Sequence, residues 1–562
     1  MVLKMSLYNQ LKLLYDQGLY SNVTNLASMI LTISDHSHDL LLPSAKYQIL
    51  VYYGDSLYHA KDYRKAETIF RKALQLKKSM AKAKGKSQGV TQGVSINQEM
   101  ASEVDVKYQI YLCHLHLKQY SQSIGVLESI PGKQRTPKIN MALAKLYHQS
   151  GMERSAITGY KEVLKVCPMA VEAALGLLAL GVKGTEVASL MLHSSSGIPN
   201  MEWLSTWIKA HAHLHARELS LSVATFKQLE SKTLLRDNVD ILVSLGEAYY
   251  YSGDFTNALV VLERAHSLDS LLLKGMDIYS ALLAKDRKVK ELENLSTQLM
   301  SISDSTPEPW IAMAYYCYVA KKGTRAIYFA QKACMINARH VEALLLKGTI
   351  LLELKRVQDA ITHFGEAYKI APFRYETHKG LVDCYMALHR TREAIAFASN
   401  ACKQLGQTPR SLTLYASVLT KDPLCVEKAK TLLEKALKQD STYLEAVYQL
   451  TEIYEQERQY QKGIELLRRQ IELQSTSRLH QMLGDLLART NEHEKALHHF
   501  SIVLNMDPNN ARAAEGRQRV EQHPESLESS YEVEAEDIGD SENEVELEES
   551  EVETIWSDID YT

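Results

Sequence analysis

One small residue marks the beat of this chain. It recurs as Ala156, Ala258, Ala326, Ala360, Ala394, Ala429, Gly463 and Ala496, with gaps of 102, 68, 34, 34, 35, 34 and 33. The first two gaps are three and two periods of 34. Four places after it stand Tyr160, Leu262, Phe364, Leu433, Leu467 and Phe500, and seven places after it Val163, Ala265, Ala333, Ala367, Ala401 and Ala436. Offsets of four and seven share one face of an α-helix. A second small residue sits twelve places earlier, as Ala144, Gly246, Ala314, Gly348 and Gly484, and a helix-ending Pro twelve places later, as Pro168, Pro372 and Pro508. The pattern predicts two antiparallel helices per period, close at the small residues, with the large residue filling the space beside them.

The period and residue sizes match the tetratricopeptide repeat. Units are expected to begin near Tyr47, Val104, Pro137, Val171, Trp203, Val239, Leu272, Pro307, Val341, Tyr375, Arg410, Leu444 and Ser477, with a further helix pair over residues 3–34. The fold class is therefore all-α, a tetratricopeptide-repeat superhelical solenoid of about 13–14 helix pairs. The expected division is N-terminal helical units over 1–76, a flexible Lys-rich insert over 77–102, a repeat array over 103–510, a capping helix over 511–524 and an acidic tail over 525–562. Residues 183–200 are expected to shorten the second helix of one unit. Gly348 is expected to pack beside Ala360 where two helices meet. Thr136, Thr306 and Thr408 each precede a Pro at a unit's start, which is N-cap and first-position chemistry, although Thr-Pro is also a minimal proline-directed kinase site.

Composition agrees with mostly helical structure, since 562 residues contain only 12 Pro and 25 Gly. The formal net charge of −4 conceals a split. Residues 525–562 hold 16 acidic residues and no Lys or Arg, leaving 64 basic against 52 acidic residues before them, a net of +12. The tail is expected to be disordered. Ser541, Ser550 and Ser557, each with an acid three residues on, are expected phosphosites. Seven Cys without a Cys-x-x-Cys, and an N-terminus without an apolar signal core, point to reduced thiols in a soluble intracellular protein. The longest apolar stretch, near Val171–Val182, is far short of the ~20 residues that span a membrane.

No catalytic constellation emerges. Gly85-Lys86-Ser87 ends like a phosphate-binding loop, but Met80 occupies the place of its first Gly. His211 and His215 share a helical face, without a third or fourth metal ligand, and read as a solvent-facing pair. Carboxylate pairs such as Glu452 with Glu455 read as surface charge. The Lys cluster at 77–86 lacks an aromatic platform for nucleic acid. No catalytic residue, cofactor, metal, small-molecule ligand, nucleic acid or membrane partner is expected.

Several stretches outside the generic repeat carry a more specific resemblance. TPKINMALAKLY (136–147), GYKEVL (159–164), VKGTEVASL (182–190), WLSTWIKA (203–210), LLRDNVDIL (234–242), LLKGMDIY (272–279) and AKTLLEKAL (429–437) resemble the family of subunit seven of the anaphase-promoting complex, the multi-subunit ubiquitin ligase of mitosis. The resemblance implies a non-catalytic scaffold in the nucleus and cytoplasm. It would act at the metaphase-to-anaphase transition as a homodimer stacked with sister tetratricopeptide subunits, with ubiquitin transfer performed by cullin and RING subunits. The apolar first pair, with Leu7, Leu11, Leu14 and Leu19, fits the dimer contact. Tyr315, Lys379, Asp383 and Glu452 are the expected protein-binding positions of the inner groove. The alternatives are a generic peptide-binding adaptor or co-chaperone, whose clamp would need a Lys and Asn set that these mixed positions lack, and a repeat-bearing enzyme, which the 40 residues after 522 cannot house.

Overall fold

The structure, a computed structural model, describes residues 7–36, 41–86, 100–192, 201–233 and 235–522. Of residues 83–86 and Lys232 only the backbone is described. The described residues contain helices and no strand, in two compact units divided after Gly275.

The first unit stacks seven pairs. These are α1 (Leu7–Asp16) with α2 (Tyr20–His36), α3 (Pro43–His59) with α4 (Tyr63–Lys86), α5 (Glu103–His116) with α6 (Tyr120–Glu128), and α7 (Pro137–Gln149) with α8 (Glu153–Val166). There follow α9 (Val171–Ala179) with α10 (Gly184–Leu192), α11 (Glu202–His215) with α12 (Leu219–Lys232), and α13 (Val239–Ser252) with α14 (Phe255–Leu268).

The second unit stacks another seven and a closing helix. Its pairs begin with α15 (Met276–Lys285) and α16 (Val289–Ile302), α17 (Pro307–Val319) and α18 (Gly323–Ile336), and α19 (Val341–Glu353) and α20 (Val357–Ile370). They continue with α21 (Tyr375–Ala387) and α22 (Thr391–Gln404), α23 (Pro409–Leu419) and α24 (Val426–Gln439), α25 (Leu444–Gln456) and α26 (Tyr460–Leu473), and α27 (Ser477–Arg489) and α28 (His493–Met506). Helix α29 (Ala511–Gln522) covers the last pair and buries Ala513, Gly516 and Val520. The fourteen pairs make a tetratricopeptide solenoid in each unit.

Packing follows the small-residue beat. Phe364 of α20 is almost fully buried and lies against glycines of two first helices, Gly348 of its own pair and Gly380 of the next. A Cβ on Gly348 would lie 2.9 Å from the Phe364 ring, so the atoms nearest Gly348 belong to Phe364, four residues on from Ala360, the partner expected from the spacing. A Cβ on Gly380 would come closer still to the same ring. Phe500 sits likewise between Gly484 and Gly516, and Phe70 against Gly54. The 34-residue step exists because one large side chain needs two small partners in successive first helices.

Turns from first to second helix are short and place one residue in the left-handed region, among them Lys61, Lys118, Arg217, Arg287, Lys321, Lys355, His389, Arg458 and Asn491. The α23–α24 turn differs, with Pro423–Cys425 forming a 3₁₀ turn, and this accounts for the gap of 35.

Two local expectations need correction. Helix α4 runs on to Lys86, so residues 77–86 are helical rather than loop. Ten residues rich in Lys and Ala, without Pro, extend an existing helix at little cost. The returning chain is pinned at Ala101. Its carbonyl accepts from Lys77 Nζ (2.7 Å) and Tyr47 Oη (3.0 Å), and its N–H donates to Gln48 Oε1 (2.9 Å). The rest of the insert, residues 87–99, lies outside the described residues, as do Ser541, Ser550, Ser557 and the whole acidic tail. The three Thr-Pro starts all place Pro in the first turn, but only Thr408 caps, accepting from the Ser411 N–H at 3.3 Å in a reciprocal capping box. Thr306 Oγ1 is buried without a hydrogen-bond partner.

Alanine in place of a helical glycine gains up to ~1 kcal/mol of propensity. Against that, overpacking costs roughly 1–3 kcal/mol. Gly380→Ala is therefore expected to lower thermal stability and to speed hydrogen exchange in α20–α22, with Gly348→Ala milder. Adding Phe364→Leu to Gly380→Ala should recover part of the loss. Strict additivity of the two substitutions in a double-mutant cycle would refute the contact.

Candidate functional site: the first-helix face of the second unit

The second residue of five successive first helices is charged: Glu342, Glu376, Arg410, Glu445 and Arg478, at steps of 34, 34, 35 and 33. Stacking brings the first three into one ladder with Arg374, which precedes α21. Arg374 Nη2 lies 3.0 Å from Glu342 Oε2, and its Nε 3.0 Å from Glu376 Oε2. Arg410 Nη2 then reaches Glu376 Oε1 at 3.2 Å, and its guanidinium lies 4.1 Å from the Tyr375 ring centroid. Glu342 and Arg374 have side chains only 5% and 6% exposed, so this pair stands in low dielectric, where losing one partner strands the other.

The carboxyls respond to their surroundings. Burial would raise Glu376, but the guanidiniums of Arg374 and Arg410 on either side more than offset it and hold the group at about 2. Asp277 of α15 is raised, by burial first and by Glu342 as well, against His340, whose Nε2 lies 3.6 Å away. Tyr375 is pushed up by burial.

The four sequence-derived groove positions fall on this face without forming one site. Tyr315 is drawn into the ladder, its hydroxyl donating to Glu342 Oε1 at 2.7 Å. Lys379 and Asp383 lie one turn apart on α21, with Asp383 raised by burial and Lys379 opposing. Glu452 stands farther along, 3.6 Å from Arg478, in a polar cavity of about 300 Å³ that Glu445, Tyr448, Gln449, Lys421 and Thr420 help to line. There Arg478 lies 4.1 Å from the Tyr448 ring, and Gln449 Oε1 is buried without a hydrogen-bond partner. Sequence reading missed Arg374, Glu376 and Arg410. Their common register in the 34-residue period was the available signal.

The first unit holds a larger and mostly apolar cavity of about 630 Å³ between the ends of α9, α10 and α11. The described part of α10, which lines it, has nine residues where most second helices have fourteen. His215 lines it, lowered by burial to about 4. His211 is not solvent-facing: it is 6% exposed and packs 4.5 Å from Trp207 and 5.0 Å from Phe226, and burial lowers it to about 3. The aromatic residues on either side of the helix face supply that cover. Among the described residues no group of three or more His, Cys, Asp and Glu could hold a metal, and no helix is long and apolar enough to cross a membrane.

The dimer positions separate. Leu7 and Leu19 are 44% and 46% exposed, but Leu11 is fully buried and packs with Val23, Ala27, Ile30 and Ile49, while Leu14 is partly buried against the same cluster. Leu11 is core of its own unit, because the face of α1 that meets α2 and α3 carries it inward.

Arg374→Ala leaves Glu342 buried without its guanidinium and is expected to destabilise the chain by roughly 3–5 kcal/mol. Faster hydrogen exchange centred on α19–α21 would show it, and unchanged exchange there would refute the ladder. A second expectation concerns acid. His499 is lowered to about 4, by burial first and then by His480, His498 and Arg468, and its Nδ1 lies 3.0 Å from that of His480. The unfolded chain binds protons at such histidines below their ordinary value near 6.5, whereas the folded chain does so only near 4 and below. Stability is thus whole above about pH 6.5 and falls as pH drops toward 4. Glu376 adds to the decline only at the acid end of that window, where its carboxyl in the unfolded chain, with a value of about 4.3, begins to take up protons. Melting temperatures between pH 7 and 4.5 should decline, and His499→Gln should flatten part of the decline.

Comparison with known proteins agrees with this architecture. A family profile described as tetratricopeptide repeat matches residues 315–375. Over 96% of its length the chain is 44% identical to anaphase-promoting complex subunit 7 of Homo sapiens, covering 96% of that protein. It is 27% identical over 92% of its length to the subunit 7 of Arabidopsis thaliana, covering 94% of it. The solved APC/C hetero-tetramer Cut9–Hcn1 shares the fold, with a TM-score of 0.57 at 15% identity over 91% of this chain and 96% of that one. With a human relative matched nearly end to end, the chain belongs to the anaphase-promoting complex subunit 7 family.

Proposed function

We propose that this chain is a non-catalytic scaffold subunit of the anaphase-promoting complex, which joins sister tetratricopeptide subunits through its solenoid surfaces in a mitotic ubiquitin ligase. The observation that carries this reading is the end-to-end identity with subunit 7 relatives, on a fold whose repeated pairs present long faces to other proteins. Ubiquitin transfer falls to other subunits, and the protein works in the nucleus and cytoplasm. The first-helix face of the second unit, with its mixed charges and the cavity at Glu452, suits an extended or helical segment of a neighbouring subunit.

The first pair serves a homodimer. Leu7, Leu13, Leu19, Met29 and Ile33 are each at least 44% exposed and surround a core that is already filled. An apolar end of this kind on a solenoid calls for a partner, and a twofold copy supplies one.

Affinity purification of the tagged chain from mitotic cells, read by mass spectrometry, tests the scaffold reading. Sister tetratricopeptide subunits should co-purify at near-stoichiometric amounts, and their absence would overturn it. Light scattering tests the dimer. Leu7→Glu with Leu19→Glu should yield helical monomers, whereas Leu11→Glu should unfold the first pair. A wild-type monomer at micromolar concentration would end the dimer proposal.

A further inference from the structure

Four consecutive pairs of the second unit break two local rules at one edge. In the turns before α16, α18, α20 and α22, the left-handed residue is Arg287, Lys321, Lys355 and His389, with φ of 54°, 57°, 59° and 55°. Glycine or asparagine takes that conformation with least strain. A cation there has a local rationale, since it faces the negative end of the preceding helix. The next residue has only a partial one. Lys288, Lys322, Arg356 and Arg390 occupy the N-cap, where the side chain offers no acceptor and its charge meets the positive end of the helix. No side-chain capping bond is made at any of the four. In other pairs the same position holds Asp254, Glu218 or Glu492.

Acidic neighbours offset only part of this charge. Lys288 pairs with Glu291 at 3.2 Å, Arg356 with Asp359 at 2.6 Å and Arg390 with Glu393 at 2.5 Å, all partly exposed. The central turn has no such acid: Lys321 and Lys322 are followed by Arg325, and all three are exposed, with Lys322 6.0 Å from the Tyr316 ring. The second and third of these turns touch. Leu354, beside Lys355, lies against Gly323, where a Cβ would be 3.2 Å from Leu354 Cδ2, and the Tyr318 hydroxyl donates to Glu353 across the same boundary. Eight cationic or imidazole side chains therefore recur at the same two turn positions of four successive pairs, half of them where helix stability alone selects against them, with Glu291, Glu353, Asp359 and Glu393 among them.

We infer that this edge is an anion-binding ridge whose occupant is the chain's own C-terminal segment, residues 525–562. Charge complementarity selects the occupant, since that segment carries sixteen carboxylates and no Lys or Arg. Its reach suffices. The forty residues after Gln522 extend to at most about 140 Å. Eleven helix steps from α29 back to α18, at about 10 Å each, amount to about 110 Å and use about 31 extended residues, so Glu553, Asp558 and Asp560 come level with α18 and the carboxylates from Glu542 onward with the turns before α20 and α22. Multiple weak ion pairs along exposed turns make the contact sensitive to salt and to any change in the segment's charge.

Zero-length carbodiimide cross-linking of the full chain tests this, using a mixture of isotope-labelled and unlabelled protein so that each cross-link is assigned to one chain or two. At about 0.1 M salt, where the screening length is about 10 Å, carboxylates of 525–562 should couple within one chain to Lys321, Lys322 and Lys355 several-fold more than to exposed Lys403, Lys438 and Lys495, each normalised to its acetylation rate. At about 1 M salt, with screening near 3 Å, the preference should vanish. Lys321→Gln, Lys322→Gln and Arg325→Gln together should shift the remaining coupling to Lys355 and Lys288 while circular dichroism stays unchanged. Coupling spread evenly over all exposed lysines, coupling only between two chains, or none at low salt would each overturn the inference.

Discussion

One side chain per repeat holds the pairs of each unit together. The large residue of the second helix, Phe364 or Phe500, enters a space bounded by small residues of its own first helix and the next one. Because it bridges two pairs, it fixes the helix separation within a repeat and the stacking between repeats at once. Truncating such a buried ring costs ~3–5 kcal/mol, so a single position couples neighbours strongly, while distant repeats share no contact and respond only through the chain between them.

That arrangement leaves the first-helix face free of any packing duty to the second helices. Charged residues can then recur at the same register, and stacking turns recurrence into contact. Glu342, Arg374, Glu376 and Arg410 form a continuous ladder only because successive α-helices place their second residues side by side. The ladder is costly where it is buried and adaptable where it is exposed. Farther along the same face, around Glu452 and Arg478, a buried acceptor of Gln449 has no hydrogen-bond partner.

The edges of the stack show the same separation of roles. Each turn must reverse the chain within a few residues, and all but the α23–α24 turn do so with one left-handed residue. Backbone geometry does not dictate which side chain stands there, so the turn edge can carry charge for other purposes. The basic run over four pairs of the second unit uses that freedom.

How much of this was legible beforehand depends on range. The 34-residue beat fixes helix pairs and their start points, and most starts fall within one or two residues of those read from Pro137, Val171, Val239, Pro307, Val341, Tyr375 and Leu444. Local periodicity suffices there because each pair is made of residues close in sequence. Long-range environment was not legible. Leu11 and His211 look like surface positions by spacing, yet α2, α3, Trp207 and Phe226 cover them. That the Phe364 ring comes nearest to Gly348 depends on side-chain reach, which helical spacing does not specify. The extension of α4 to Lys86 escaped a composition argument because polarity and helicity are compatible. The sequence alone thus determined the repeat, its register and its membership of a family. Only the tertiary structure decided which charges meet, which leucines remain free and which histidines are buried, because the charge pairs join neighbours 30 or more residues apart and burial is set by the helices packed on each face.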